Sequence, residues 1–275
     1  MAARRVLGLD SIVEVSRRGV RWRLDLAEGI DFAIYLLGSF ESTTVDAYSR
    51  FAELGTVALD LGANIGAHTM HLARAVGPKG LVVAFEPTDY AFSKLTANIA
   101  LNPTLAPRIK TCQLMLLENE IASVPEAICS SWPLKTEEGL HPGHFGKLMA
   151  AHSARGTTLD RAIAELLPGN PRISLIKMDV DGYECRLLRG AKQTLNKHRP
   201  LIVMEMSPYV LEEMQNSVEE LVALLVECGY GLRDLSARRS LPLEGRALRS
   251  MIPWGAGINV LAVPEDVWRR NAPGR

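Results

Sequence analysis

The chain has 275 residues, of which 47% are hydrophobic and 23% charged, a composition typical of one sizeable globular domain with a small appendage. Its 31 Lys and Arg residues balance its 31 Asp and Glu residues, so no global charge would attract nucleic acid or an anionic membrane. No apolar run reaches the roughly 20 residues that cross a bilayer. The cysteines lack Cys-x-x-Cys spacing and no signal segment is visible, so we expect a reducing, cytoplasmic setting without membrane insertion.

The first 42 residues are typical of short β segments. Apolar residues alternate over 11–15 and 20–26, which predicts two strands joined at Arg17–Gly19, and a third strand is predicted over 32–37. We interpret residues 1–42 as an N-terminal β cap or hairpin on a main domain that spans 43–275.

From residue 43 onward, predicted helices and strands alternate. The strands are predicted at 57–61, 81–85, 109–116, 174–180, 201–206, 231–235 and 258–263. The helices are predicted at 43–54, 65–76, 90–101, 159–167, 184–198 and 218–228, with Thr158 as a candidate N-cap. This alternation predicts an α/β fold around a parallel sheet with right-handed crossovers.

Residues 118–156 interrupt this alternation. The segment is rich in Gly, Pro, Ser and His and shows no regular pattern, so we predict an irregular insert. Long loops in compact domains are commonly lids or functional loops, which makes this one a candidate acceptor lid. Its Trp132, His141, His144 and His152 either line an acceptor pocket or are exposed loop positions.

An apolar strand at 57–61 ends in a turn that is bounded by Gly62 and Gly66. Glycines permit backbone angles closed to other residues and leave room for a ligand, and Asp60 lies beside them. Glu86 follows the next strand and lies 20 positions after Gly66. This is close to the roughly 20-residue spacing at which an acidic side chain binds the ribose hydroxyls in nucleotide sites. The pair predicts a nucleoside-bearing cofactor.

Two other cofactors fit this turn less well. Asn64 stands where a dinucleotide fingerprint needs glycine, which disfavours nicotinamide without excluding it. Ala67 and His68 follow Gly66 where a phosphate-binding loop needs Lys and Ser or Thr, which argues against ATP. The pattern Asp-x-Gly-x-Asn-x-Gly instead resembles the first motif of class I S-adenosylmethionine-dependent methyltransferases. An ordinary strand-to-helix turn is the structural alternative.

A second motif ends the predicted strand at 174–180. By the two-residue period of a strand, Lys177 and Asp179 point to the same side, which predicts an ion pair near the carboxyl end of a buried strand. In open α/β sheets this end faces the ligand crevice.

Several motifs in this order resemble the FkbM family of methyltransferases. They comprise Asp60–Gly66, Ala84–Pro87, Thr158–Asp160, Ile176–Glu184 and Arg199–Pro200 with Glu205. The resemblance covers roughly residues 40 to 207 and implies a Rossmann-like, seven-stranded class I methyltransferase sheet with helices on both faces and S-adenosyl-L-methionine as cofactor. The chain departs from the family pattern at Asp181, where Glu is more frequent, and at Ala67–His68, where aromatic residues are common.

The resemblance also implies roles for the cofactor-binding residues. Asp60, Gly62, Asn64 and Gly66 would shape the pocket around the methionine end, and Glu86, followed by Pro87, would take the ribose hydroxyls. Leu116 would lie by the adenine or belong to the core. Glu41 would reach the cofactor's amino group or be a solvated carboxylate.

For catalysis, our hypothesis is that Asp179 is the base or the group that orients the acceptor. Lys177 would hold Asp179, Glu184 would support the turn, and His68 is a further candidate. The alternative is a purely structural ion network. No metal is favoured, although Asp179, Asp181 and Glu205 are the carboxylates that a divalent cation would use.

The resemblance implies O-methylation of a sugar-containing or other hydroxylated small molecule, and no nucleic-acid partner is expected. Two alternatives stay open: an RNA or protein methyltransferase, and a catalytically silent cofactor-binding scaffold. Neither the acceptor nor the oligomeric state follows from the sequence.

Overall fold

A computed structural model describes residues 10–135, 138–143, 145–236 and 238–267. The described chain begins with an antiparallel hairpin of Ile12–Arg17 (β1) and Val20–Asp25 (β2). Helices Gly29–Leu37 (α1) and Ser42–Phe51 (α2) follow.

The strand predicted over 32–37 is wrong, because this segment belongs to α1. A short apolar run has no period that separates a strand from a helix, and tertiary contacts decide between them. Asp31 in the first turn accepts hydrogen bonds from Asp25 N at 2.7 Å and from Lys94 Nζ at 2.7 Å. Gly38 then ends the helix in the left-handed region, at φ 90°.

Within the described residues, the central sheet contains seven strands, and all seven predicted strands contribute to it. They are Val57–Leu61 (β3), Leu81–Phe85 (β4), Ile109–Cys112 (β5), Ile173–Met178 (β10), Leu201–Met206 (β11), Tyr230–Asp234 (β12) and Ile258–Pro264 (β13), in the spatial order β12-β13-β11-β10-β3-β4-β5. The prediction of a wholly parallel sheet needs one correction, since β13 is antiparallel to both β11 and β12.

The strand predicted over 109–116 is divided in two. Its second part, Leu114–Leu116 (β6), leaves the sheet and pairs in parallel with Arg155–Thr157 (β9). The predicted irregularity of 118–156 is also only partly correct, because Ala127–Ser131 (β7) and Lys147–Ala150 (β8) form an antiparallel hairpin.

Helices pack on both faces of the sheet. They are Thr69–Ala75 (α3), Asp89–Ala100 (α4), Leu159–Leu166 (α5), Glu184–Arg189 (α6), Lys192–His198 (α7), Pro208–Glu213 (α8), Val218–Glu227 (α9) and Gly245–Ser250 (α10), with a 3-10 turn at Ala106–Arg108. Alternate residues of one strand enter two separate cores, since Ile176 lies in one cluster and Leu175 in the other. Within the described ranges, no helix has the length and apolarity needed to span a membrane.

One helix end is set by local sequence and another by a distant segment. Thr158 caps α5, because its side chain accepts a hydrogen bond from Arg161 N. The single helix predicted over 184–198 is broken between α6 and α7 at Gly190, where a Cβ would lie 2.2 Å from the carbonyl oxygen of Leu117. The backbone at Leu117 therefore occupies the space that any side chain at residue 190 would need.

The N-terminal hairpin docks on α4 and the turn after it through two amide side chains four residues apart. Asn98 Oδ1 accepts from Arg23 N at 2.8 Å, and Asn102 Oδ1 accepts from Arg21 N at 2.9 Å. Beneath the hairpin, Trp22 packs in a cluster with Ile65 at the start of the α3 region. This docking brings the N-terminal residues beside the glycine turn.

Candidate active site

A cavity of about 600 Å³ lies at the carboxyl ends of the parallel strands β3, β4, β10 and β11. The β7–β8 hairpin supplies a further wall through residues such as Ser130 and Leu148. Most of the predicted site residues line this cavity: Glu41, Gly62, Asn64, His68, Glu86, Pro87, Leu116, Lys177, Asp179, Asp181, Glu184 and Glu205. Asp60 and Gly66 are the predicted residues that lie behind its surface.

The glycine turn is shaped first by its neighbouring strand. Gly62 has φ 80°, and a Cβ there would lie 1.8 Å from the carbonyl oxygen of Asp179. Its lack of a side chain thus allows the ends of β3 and β10 to meet, a role that the sequence does not reveal. Gly66, at φ 91°, faces Leu95 and contributes to packing.

Asn64 connects the turn to the hairpin. It occupies the left-handed region at φ 47°, and its Oδ1 accepts from Ile65 N at 2.8 Å. Its Nδ2 donates to the carbonyl oxygen of Ser130 at 3.1 Å. The amide side chain therefore orders the turn and fixes β7 against it.

Glu86 is buried at the end of β4, with 3% of its surface exposed. Its Oε2 accepts from Asn64 N at 2.9 Å, and its Oε1 accepts from Thr88 N at 2.9 Å and Thr88 Oγ1 at 2.5 Å. Burial raises its pKa, and these hydrogen bonds partly oppose that rise. A carboxylate offers about four lone-pair positions, so one remains for a ligand hydroxyl.

Two residues that the sequence analysis missed support Glu86. Ser130 Oγ donates to Thr88 Oγ1 at 2.9 Å, and Thr88 in turn donates to the carboxylate. The proximity of Thr88 to Glu86 in the chain was a usable signal. Ser130 gave none, because it reaches the site only through the hairpin.

Lys177 lies at the centre of the charged residues and is 4% exposed. Its Nζ donates to the carbonyl oxygen of Gly62 at 2.7 Å and lies 3.6 Å from Asp60 Oδ1 and 3.5 Å from Asp179 Oδ2. Burial opposes the charge of Lys177, but Asp179 and Asp60 raise its pKa overall. A buried ammonium therefore joins the glycine turn to the end of β10.

Asp60 is fully buried beneath this ammonium. Thr69 Oγ1 donates to its Oδ2 at 2.5 Å, whereas its Oδ1 has no hydrogen-bond partner among the described residues. Burial raises the pKa of Asp60, and Lys177 opposes that rise. Asp60 is therefore placed to support Lys177 and the glycine turn.

Further carboxylates surround Asp179. Glu184 Oε1 accepts from Val180 N at 3.2 Å, and burial raises the Glu184 pKa to about 7. Burial, together with Asp179, raises the pKa of Glu205 to about 8. Burial and the nearby Asp179 raise the pKa of Asp181 well above its ordinary value. Among the described residues, no three His, Cys, Asp or Glu side chains are placed to hold a metal ion.

His68 and Glu41 form the side of the cavity that faces α2. Asn259 Nδ2 donates to Glu41 Oε1 at 3.0 Å, and burial raises the Glu41 pKa. His68 Nδ1 lies 2.8 Å from the Tyr48 hydroxyl, and its Nε2 lies 3.6 Å from Glu41 Oε2. Burial lowers the pKa of His68 well below its ordinary value and raises that of Tyr48, so both rings are neutral. With the phenol as donor, the imidazole proton lies on Nε2, which suits a hydrogen-bond donor better than a base.

Only some of the aromatic and histidine candidates of the insert lie in the cavity wall. Trp132 and His141 line the cavity, and His141 Nε2 lies 3.3 Å from Glu213 Oε1. His152 is exposed and is not part of the wall. His144 lies outside the described residues.

The sheet order, the glycine turn and the acid on the next strand define an α/β fold of the class I methyltransferase type. The family model described as Methyltransferase FkbM domain matches residues 60–232. This chain belongs to the FkbM family of methyltransferases.

One curated relative is Methyltransferase 1 of Beauveria bassiana (strain ARSEF 2860), which is 28% identical over 147 residues. That match covers 48% of this chain and 57% of the relative, so the two share little more than half of the relative's length.

Two solved structures show low similarity. Methyltransferase FkbM from Methylobacillus flagellatus KT is 17% identical with a TM-score of 0.42, covering 80% of this chain and 50% of that one. M. jannaschii TYW2 in complex with AdoMet is 15% identical with a TM-score of 0.42, covering 92% of this chain and 84% of that one.

Proposed function

We propose that this protein binds S-adenosylmethionine and methylates a hydroxyl oxygen of a small molecule, either a sugar-containing compound or another hydroxylated one. The observation that carries this proposal is the position of Lys177. Its ammonium donates to Gly62 in the glycine turn and lies 3.5 Å from Asp179, so a cofactor loop and a candidate base share one cavity.

The residues present fit the cofactor. Glu86 would accept a hydrogen bond from a ribose hydroxyl at its remaining lone pair, and Pro87 and Leu116 would flank the adenine of the cofactor. Glu41 and the Nε2–H of His68 would receive the ammonium and carboxylate of the methionine end. When bound, the sulfonium supplies an electrophilic methyl group and leaves as a neutral thioether.

In this proposal the catalytic contribution of the chain is positioning and proton removal. Asp179 accepts a hydrogen bond from the acceptor hydroxyl and takes its proton as the new oxygen–carbon bond forms and the carbon–sulfur bond breaks. Lys177 keeps the carboxylate in place, and Glu184 holds the turn through Val180 N. A structural ion network is the competing interpretation of the same contacts.

The charge of the cavity favours a small-molecule acceptor over RNA. Among the described residues that line it, Lys177 is the one Lys or Arg, and it is already beside Asp60 and Asp179. Nucleic-acid sites use Arg and Lys to contact phosphates. We therefore propose no nucleic-acid partner.

The first test is calorimetric titration of S-adenosylhomocysteine into the wild type, Glu86→Gln and the control Glu120→Gln. Glu120 is an exposed glutamate that is not part of the cavity wall. We expect Glu86→Gln to weaken binding by about tenfold to a hundredfold, the effect of losing a hydrogen bond to a charged group. The control should bind like the wild type.

Absence of binding to folded wild type would overturn the cofactor assignment. Binding without production of S-adenosylhomocysteine from S-adenosylmethionine and a pool of hydroxylated acceptors would favour the silent scaffold. Unchanged turnover in Asp179→Asn would refute the base assignment.

A further inference from the structure

One wall of the cavity holds more carboxyl groups than the described cation beside it can balance. We call Asp179, Asp181, Glu184, Glu205 and Tyr209 the acidic wall, since all five line the cavity around the ends of β10 and β11. Lys177 is the cation beside it, and this ammonium also serves Asp60, which is completely buried. Four carboxyl groups therefore share part of one positive charge.

The orphaned oxygen of Glu184 is an independent sign of a missing partner. Glu184 is 5% exposed, and its Oε2 has no hydrogen-bond partner among the described residues. A buried carboxyl oxygen without a partner loses its solvation and gains nothing in return, a state that a bound donor would relieve. Glu184 lines the same cavity as Asp181 and Glu205.

An aromatic ring stands beside the carboxylates. Tyr209 follows β11 in α8 and lines the same cavity as Glu205 and Asp181. Carboxylates next to an aromatic ring form a typical environment for a protonated amine, because both the negative charge and the ring face attract a cation. The ammonium also brings three N–H donors.

We propose that the acidic wall binds a protonated amine on the acceptor, so that the methylated molecule is an amino alcohol, an amino sugar or a similar hydroxylated amine. This inference rests on the proposed function, because it assigns the substrate class of the same site. Glu41 and Glu86 are kept for the cofactor, and Asp181 and Glu205 are the principal amine ligands. Glu184 completes the set.

The remaining walls fit the rest of such a molecule. Trp132, Leu148 and Met214 line the cavity with apolar surface and would cover a sugar ring or a hydrocarbon body. An anionic acceptor, such as a phosphorylated sugar, would place like charge against the acidic wall and is disfavoured for the same electrostatic reason.

The test uses two series of probes that keep the skeleton and change the charge. The first is glucosamine, glucose and glucuronate, and the second is tyramine, tyrosol and 4-hydroxyphenylacetate. Each compound is titrated by calorimetry at neutral pH into protein saturated with S-adenosylhomocysteine. We expect the amine of at least one series to bind about tenfold more tightly than its neutral analogue, the ratio typical of one charge-assisted contact.

Substitutions in the acidic wall test which residues produce the preference for the amine probes. Asp181 has φ 48°, a conformation that Asn also tolerates, so Asp181→Asn should fold. We expect Asp181→Asn and Glu205→Gln to abolish the preference for the amine while S-adenosylhomocysteine binding stays intact. The control Glu212→Gln changes a neighbouring residue of α8 whose carboxylate pairs with Arg249 outside the cavity wall, and it should keep the preference.

The possible results separate the two proposals. Normal S-adenosylhomocysteine binding with equal affinity for amine and neutral probes, with preference for the acids, or with no amine bound at all would overturn the amine site and leave the proposed function standing. A folded protein that does not bind S-adenosylhomocysteine would overturn both.

Discussion

Replacing Lys177 with Met tests the central ion cluster. The substitution keeps most of the side-chain volume but removes the ammonium that donates to Gly62 at 2.7 Å and lies within 3.6 Å of both Asp60 and Asp179. Asp60 is then a completely buried carboxylate with Thr69 as its remaining hydrogen-bond donor. Losing one partner of a buried ion pair costs about 3–5 kcal/mol, of which the lost hydrogen bond to Gly62 contributes about 1.5–3 kcal/mol.

The loss of stability should depend on pH. Burial already raises the pKa of Asp60 beside Lys177, and removal of the ammonium raises it further. A carboxyl whose pKa is higher in the folded state stabilises the fold at low pH and loses that contribution as pH rises through the folded pKa. Lys177→Met should therefore be closer to the wild type at pH 5 than at pH 8.

Urea unfolding at both pH values measures this effect. Lys79→Met, at an exposed lysine, is the matched control and should stay within about 0.5 kcal/mol of the wild type. Adding Asp60→Asn to Lys177→Met should recover part of the loss at pH 8, because it removes the unpaired charge. A deficit below about 1 kcal/mol for Lys177→Met, or one that does not change with pH, would refute the interpretation of Lys177 as the counter-charge of Asp60.

Two further predictions concern the backbone and the acidic wall. Gly62→Ala should destabilise the protein by more than about 4 kcal/mol, because the new Cβ would collide with the Asp179 carbonyl oxygen. The control Gly169→Ala also has positive φ but no atom within 4 Å of the new Cβ, so it should lose only about 1–2 kcal/mol. Equal losses of the two variants in thermal unfolding would contradict the close approach at Gly62. The pKa of Glu184, raised to about 7 from its ordinary 4.5, should make wild-type stability fall as pH rises between those values, by about 3 kcal/mol at about 1.36 kcal/mol per unit. Glu184→Gln should lose that part of the slope, and an unchanged slope in chemical unfolding would assign it to other groups.

Much of the fold follows from local pattern. The strands at 57–61 and 201–206 have the predicted bounds, and the cap at Thr158 is observed, because apolar runs and capping side chains act over a few residues. The glycine turn and Glu86 were also recognisable, since their spacing reflects a strand, a turn and a helix in direct succession. The family resemblance, confirmed by the match over 60–232, depends on these two motifs together with the short motifs at 158–160, 176–184 and 199–205.

Other features depended on contacts between distant segments. The sequence predicts a strand over 32–37, within the helix Gly29–Leu37, because the contacts that fix this helix lie on β2 and α4. The break at Gly190 reflects the passing backbone at Leu117. Neither contact leaves a periodic trace in the sequence.

The same division holds for the candidate site. The sequence by itself determined the residue types that meet at the strand ends, including Glu86, Lys177 and Asp179, because the ends of parallel strands share one edge of a sheet. Only the tertiary structure decided that Ser130 supports Glu86 through Thr88, and that the Tyr48 hydroxyl lies 2.8 Å from His68 Nδ1. Those partners lie on segments that are far apart in the chain. Their approach is set by the loop-closure entropy and the packing of the whole domain, and not by the conformational preferences of neighbouring residues.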